Sequence, residues 1–196
     1  MKKILMLVLI VLMSITGIKC GSDDNLAAPS VTYNLRDIGP GGGYVFYDKG
    51  YYSDGWRYME AWTADETVTY KWKTTNDFTP GTGTAIGTGY ANTYTAMAGT
   101  NHPAAEVVRN ATHGGKNDWF LPSKNELNKM WINLWRGTND DAGNATYTKV
   151  GGFANDYYWS SSENESSYAW YQYFNNGSQD YVSKSTYLRV RAVRAF

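Results

Sequence analysis

Apolar and polar residues alternate most regularly near the carboxyl end of the chain. In "AWYQYF", Trp170, Gln172 and Phe174 fall on one side of an extended chain and Tyr171 and Tyr173 on the other, because successive strand side chains point to opposite faces. The pattern predicts a strand with one solvated face, which carries Tyr171 and Tyr173 and is backed by Trp159, Trp170 and Phe174. "NNG" at 175–177 then reads as a turn. "YLRVRAVRAF" is extended again, with Leu188, Val190 and Ala192 on one side and Arg189 and Arg191 opposite.

Upstream the period becomes helical. In "NHPAAEVVRNATHGG", Pro103 suits a first helical turn, Ala104, Val107, Val108 and Ala111 share a face, and Gly114 and Gly115 are expected to end the helix. In "PSKNELNKMWINLWRG", Ser123 and Glu126 have capping-box spacing, Leu127, Met130, Trp131, Leu134 and Trp135 make an apolar stripe, and Gly137 is the expected stop. Before both, "RDIGPGGGYVFYDKG" reads as a tight glycine turn entering a strand at Tyr44. It is not a phosphate loop, which leaves a strand and opens a helix with Lys and Ser or Thr after the last glycine. "GTGTAIGTG" lacks the dinucleotide spacing, and no helical pattern directly follows it. The expectation is an α+β fold, helices in the middle and antiparallel strands toward the end.

Composition adds one anomaly. Among 196 residues, 42% hydrophobic and 18% charged, there are 17 Tyr, eight Trp and six Phe, which fits one globular domain. Such an excess suits either a tyrosine-rich β core or a recognition surface.

The first residues, "MKKILMLVLIVLMSITGIKC", have the basic start and apolar run of a secretory signal. Residues 1–19 are expected to be a signal peptide, Cys20 the lipidated residue of a bacterial lipoprotein, and 20–35 a flexible tether before a domain at 36–196. Lys19 departs from the small residue usual before such a cysteine, and a plain secreted protein is the alternative. When Lys2, Lys3 and Lys19 leave with the signal, the 18 basic residues fall to 15 against 18 acidic ones, a net of −3. Nucleic acid is then an unfavourable partner. With Cys20 as its single cysteine, the domain has neither a disulfide nor a thiolate metal site to stabilise it.

The segments "IGPGGGYVFY", "DWFLPSKNELNKMW", "YWSSSE", "AWYQYFNNG" and "VRAVRAF" resemble, in order and spacing, the domain that closes collagen-like bacterial adhesins, the Lcl C-terminal domain family, over about residues 36–196. The resemblance implies a C-type-lectin-like fold, in the branch that also holds formylglycine-generating enzymes. It also implies a surface module that binds glycans, host molecules or other cells. Some members are variable proteins of diversity-generating retroelements, in which adenine-rich codons become Asn, Tyr, Ser or Asp. Residues 164–187 are dominated by these types: Asn164, Ser166, Ser167, Tyr168, Tyr171, Tyr173, Asn175, Asn176, Ser178, Asp180, Tyr181, Ser183, Ser185 and Tyr187. They stand among expected scaffold residues Trp159, Trp170, Phe174, Gly177, Val190 and Arg191. An ordinary polar β edge is the plainer reading of the same residues.

The expected function is therefore non-enzymatic binding of a protein or glycan at the cell surface, from a lipid anchor in the outer membrane. The alternatives are a structural or tip subunit of an adhesive assembly and, behind it, an enzyme of unknown type. Formylglycine-type oxidation needs a redox-active cysteine pair, and hydrolysis lacks a G-x-S-x-G elbow; His102 and His113 lack H-E-x-x-H spacing. Asp140 and Asp141 read as a solvated loop, the Glu-Pro-Asn and Trp-Asn-Asp calcium motifs of sugar-binding lectins are missing, and no metal or cofactor is expected.

Overall fold

A computed structural model of the chain describes residues 31–136 and 148–196. Cys20, the signal segment, residues 20–30 of the tether, Gly137, Asp140 and Asp141 lie outside the described residues. Strand β1 (Tyr44–Ser53) leaves the glycine turn as expected, then reverses through Asp54 and Gly55 into β2 (Trp56–Ala61). The carboxyl-terminal strand β8 (Val193–Ala195) pairs with the other edge of β2, so an antiparallel sheet of order β1-β2-β8 joins the two ends of the domain. β2 is absent from the sequence reading for a physical reason. Tyr58, Met59, Glu60 and Ala61 are all buried, as in a strand covered on both sides, and such a strand does not alternate.

Two further short elements follow. β3 (Tyr70–Lys71) forms a ribbon with β7 (Tyr187–Leu188). Helix α1 (Gly89–Ala91) widens into an i→i+5 turn over Asn92–Ala96, closed by the Met97 N–H on the Asn92 carbonyl at 2.8 Å. This corrects the expectation that no helix follows "GTGTAIGTG". The segment has no apolar stripe and is held by tertiary bonds: the Thr93 hydroxyl donates to the Gly89 carbonyl at 2.8 Å, and the Asn92 amide donates to the Ser161 hydroxyl at 2.9 Å.

Helix α2 (Pro103–Arg109) begins at its proline and buries Ala104, Ala105 and Val108. It ends at Arg109 rather than at the glycine pair. Gly114 and Gly115, at φ 55° and 71°, form a separate turn, and a Cβ on Gly114 would lie 1.9 Å from the Gly41 carbonyl oxygen. Helix α3 (Lys124–Met130) has the expected cap. The Glu126 N–H donates to the Ser123 hydroxyl at 3.3 Å, and the Ser123 N–H donates to the Glu126 carboxylate at 2.7 Å. α3 widens over Trp131–Trp135 and buries Leu127, Met130 and Leu134 with Phe46, Phe120 and Phe174.

The second sheet, order β4-β5-β6, contains β4 (Tyr157–Glu165), β5 (Tyr168–Tyr173) and β6 (Gln179–Ser183), all antiparallel. The closing "YLRVRAVRAF" keeps the expected alternation, with Leu188, Val190 and Ala192 in a core with Trp72, Trp119 and Trp159. It is not one strand, because its first residues pair with β3 and its last with β2. Arg191, on the opposite side, is fully buried. Its guanidinium donates to Asp65 at 2.8 Å and to the Trp62 carbonyl at 2.7 Å, and stacks 3.9 Å from the Phe153 ring centroid. Among the described residues the architecture is α+β, built from three short helices and antiparallel sheets.

Candidate ligand-binding surface

β5 is the middle strand of its sheet, so its register decides which rings meet. Trp170 pairs with Tyr181 on β6; Tyr171 pairs with Asp180 on β6 and Trp159 on β4, and Tyr173 pairs with Tyr157. Alternation puts Tyr168, Trp170, Gln172 and Tyr181 on one face and Tyr157, Trp159, Ala169, Tyr171 and Tyr173 on the other.

On the first face, α3 covers the end at Gln172. That amide donates to the Asn128 side chain at 3.0 Å and to the Gly177 carbonyl at 3.0 Å. The helix starts at Lys124, whose ammonium lies 3.1 Å from the Trp170 ring centroid, and burial holds this amine below the usual lysine range. Beyond it a row of rings emerges, with Tyr181 edge-on to Trp170 at 5.6 Å and to Tyr168 at 5.7 Å. Trp170 is therefore not a rear support as expected. It is half-buried and belongs to the exposed row, whereas Trp159 and Phe174 are fully buried.

The second face grades from core to solvent. Trp159 and Ala169 are fully buried, and Tyr171 packs half-buried against the same cluster. Tyr157 stacks on Tyr173 at 4.3 Å and meets Tyr171 edge-on at 5.3 Å. A shallow recess of about 160 Å3 lies among Tyr157, Tyr171, Val182, Thr186 and Leu188. Burial raises the Tyr171 phenol above its usual range, and Asp180 adds to the shift. The face expected to be solvated is thus half-covered, because its inner end is continuous with the core.

The remaining expected residues do not make one patch. Ser166, Tyr168, Asn175, Asn176, Ser178, Asp180, Tyr181, Ser185 and Tyr187 are exposed, and Asn164 and Ser183 are half-buried. Asn164, Ser166, Ser183 and Ser185 lie at one end of the β5–β6 hairpin, where the Ser183 and Ser185 hydroxyls are 2.9 Å apart. Asn175, Asn176 and Ser178 form the turn at the other end, about 17 Å away along a six-residue strand. Tyr187, 61% exposed, stands on the β3–β7 ribbon with the Lys71 ammonium 5.3 Å from its ring centroid.

Buried charges fix these elements from beneath. Lys184, between the two serines, is fully buried. Its ammonium is paired with the Glu163 carboxylate and donates to the Asp77 carbonyl at 2.9 Å and the Ser166 carbonyl at 2.7 Å. Beside this pair, His102 bonds the Thr79 hydroxyl at 3.1 Å, and burial together with Lys73 and Lys184 holds its pKa down to about 4. Elsewhere in the domain the glycine turn wraps a carboxylate. Glu60 accepts from the Gly41 N–H at 2.9 Å and the Gly43 N–H at 2.9 Å, and a Cβ on Gly39 would lie 2.6 Å from that carboxylate. Glu126 is likewise fully buried. It accepts from the Gly87 N–H at 2.7 Å as well as from Ser123, and burial pushes its pKa up to about 7 against those bonds. Among the described residues, no three His, Cys, Asp or Glu side chains group as a metal site.

Sequence reasoning missed Tyr157 and Lys124 at the surface and Lys184 beneath it. Tyr157 opens "YYWSSSE", where adjacent rings obscure which one points outward. Lys184 sits in "SKS", which locally looks solvated.

The model of the Lcl C-terminal domain family matches residues 61–194. The chain belongs to that family. No curated protein matches the sequence. The match starts at the end of β2, so the glycine turn and β1 fall outside it, whereas the resemblance extends from about residue 36. Inside it, the segments "DWFLPSKNELNKMW" and "YWSSSE" serve as scaffold. Trp119 is fully buried; the Ser161 N–H donates to the Pro122 carbonyl at 2.7 Å, and the Ser162 hydroxyl accepts from the Lys124 N–H at 3.0 Å. These bonds tie β4 to the start of α3 and set the sheet beneath the aromatic rows.

Proposed function

We infer that this Lcl C-terminal domain protein is a non-enzymatic surface module that binds a protein or glycan ligand through the aromatic rows of β4–β6. The reading rests on one observation: Tyr168, Trp170 and Tyr181 on one face, and Tyr157, Tyr171 and Tyr173 on the other, are partly exposed yet held in ring-to-ring contact. Rigid Tyr and Trp side chains offer large contact area and lose little conformational entropy on binding. Rows of this kind are where binding energy concentrates.

The finer points of the reading are these. The fold is C-type-lectin-like, and residues 164–187 are a segment that a diversity-generating retroelement varies, with Gln172 and Lys184 kept as supports. Cys20 carries the lipid that anchors the protein in the outer membrane, facing outward. Formylglycine-type oxidation is not the activity, since Cys20 is the single cysteine. The presence of rings on both faces of one sheet also supports a second reading, a subunit of a surface assembly, because a protein neighbour can wrap an edge that a small ligand cannot. Size-exclusion chromatography of the purified protein separates the two.

The test is a Tyr157→Ser, Tyr168→Ser, Tyr181→Ser triple variant, read for binding to whole-cell and glycan panels and for thermal unfolding. Loss of binding with little change in melting is expected. Unchanged binding to every target of the parent protein would remove the reading.

A further inference from the structure

A second recess, of about 440 Å3, takes none of its lining from β4, β5 or β6. Its apolar walls are Trp56, Tyr90, Phe120 and Met59, and Asp54 and Asp118 are its acidic residues; no Lys, Arg or His lines it. That volume is in the range of small-molecule sites.

The walls are set before any ligand arrives. Tyr90 is 51% exposed but stacks on Tyr94 at 4.5 Å and meets Phe120 edge-on at 5.9 Å. Tyr94 is pinned by its hydroxyl, which donates to the Trp119 carbonyl at 3.0 Å. Trp56 lies against Gly87, where a Cβ would come within 3.4 Å of the indole. The Gly87 N–H is in turn tied to the buried Glu126 carboxylate at 2.7 Å. Both rings therefore stand on groups that cannot easily shift.

The charge of the recess is acidic. Asp118 is paired with Arg194 at 2.5 Å, but the same guanidinium also serves Glu60 at 3.2 Å, so one cation faces two carboxylates. The Asp54 side chain is 84% exposed, with its carboxylate 3.6 Å from the Lys49 ammonium. That ammonium lies 3.8 Å from the centroid of the Trp56 ring, which already accepts one cation. A recess with aromatic walls, acidic groups and no lining base repels anions. It is also poor for a hydrated metal ion, which needs several oxygen ligands at about 2.0–2.6 Å. It suits a positive head too large and too weakly hydrated for a metal site, stacked on ring faces.

The geometry points to a binding site for a small organic ammonium ion, its head between Trp56 and Tyr90 and its charge balanced by Asp118. The site is separate from the tyrosine rows, so it stands or falls independently of the proposed surface function.

Calorimetric titration of the purified protein with choline, tetramethylammonium and 3,3-dimethylbutan-1-ol, in which carbon replaces the charged nitrogen of choline, tests it. Both cations should bind in the millimolar range or tighter. The uncharged alcohol should bind about tenfold more weakly, and added salt should weaken only the cations. Tyr90→Ala and Asp118→Asn should each reduce choline affinity about tenfold, while Tyr171→Ala leaves it unchanged. Tyr90 is more than half exposed, so its variant should remain folded even if loss of the Asp118 pairing loosens Arg194. Equal binding of the alcohol, no heat from either cation, or full affinity in Tyr90→Ala would each overturn the assignment.

Discussion

Replacing Lys184 by methionine tests whether residues 164–187 rest on a buried charge. The wild-type ammonium is fully buried and has three oxygen partners, on Glu163, Asp77 and Ser166. Methionine fills most of the volume but donates nothing. The Glu163 carboxylate, on a side chain 3% exposed, would keep only the Thr79 N–H at 2.8 Å among its hydrogen bonds to described residues. Its second oxygen is already buried without a partner there. Removing one member of a buried pair costs about 3–5 kcal/mol, because the other charge stays in low dielectric uncompensated. Relief of the Lys73–Lys184 repulsion offsets part of this. Adding Glu163→Gln to Lys184→Met takes the stranded charge away, so the double variant should be more stable than Lys184→Met alone, by about 1–3 kcal/mol. Urea unfolding of the four proteins in the cycle, with equal m values, measures both quantities. A Lys184→Met protein within about 1 kcal/mol of the parent, or a double variant no more stable than the single, would refute the argument.

Three further outcomes are expected. Phe174→Ala should cost about 3–5 kcal/mol and Trp170→Ala clearly less, since only the first ring is fully buried; thermal melts that rank them the other way would contradict the two-faced reading of β5. Stability should depend on pH through two opposed groups: His102 stays neutral in the fold down to about 4 while the unfolded chain takes up its proton below about 6.5, so its contribution rises with pH over that window, whereas Glu126 holds a proton up to about 7 that the unfolded chain releases above about 4.5, so its contribution falls. Glu126→Gln removes the falling arm, and its urea midpoint should climb from pH 4.5 to 6.5 more steeply than that of the parent; parallel profiles would count against a raised Glu126. Cys20→Ser should move the protein from the membrane to the soluble fraction, and unchanged partitioning into detergent would remove lipidation at that residue.

Local chemistry was readable from the sequence, and compensation at a distance was not. Ser123 and Glu126 are three residues apart, so the cap on α3 could be seen without knowing the fold, as could the entry proline of α2 and the alternation through Trp170–Phe174. Glu60, Arg191 and Lys184 look like surface charges because the groups that neutralise them are remote: glycine N–H groups 17 and 19 residues away for Glu60, Asp65 126 residues away for Arg191, and Glu163 21 residues away for Lys184. Trp170 was misassigned because alternation gives a face but not its cover, and the α3 helix stops covering at Lys124. Of the tyrosines of 164–187, Tyr168, Tyr181 and Tyr187 are exposed and Tyr171 and Tyr173 half-buried, because their division between two faces and two hairpin ends depends on strand register. The excess of aromatics proves to be both a core and a surface: Trp72, Trp119 and Trp159 are fully buried while Tyr168, Tyr181 and Tyr187 are exposed.

Hydroxyl-radical footprinting of the protein, free and bound to cells that it recognises, tests the central claim most directly, because it needs no knowledge of the ligand. Peptide mass spectrometry should show protection of Tyr157, Tyr168, Trp170 and Tyr181 on binding, while Tyr51, 64% exposed on β1, is labelled equally in both states. Protection centred on β1, or equal labelling of the four rings in both states, would contradict a binding surface on β4–β6.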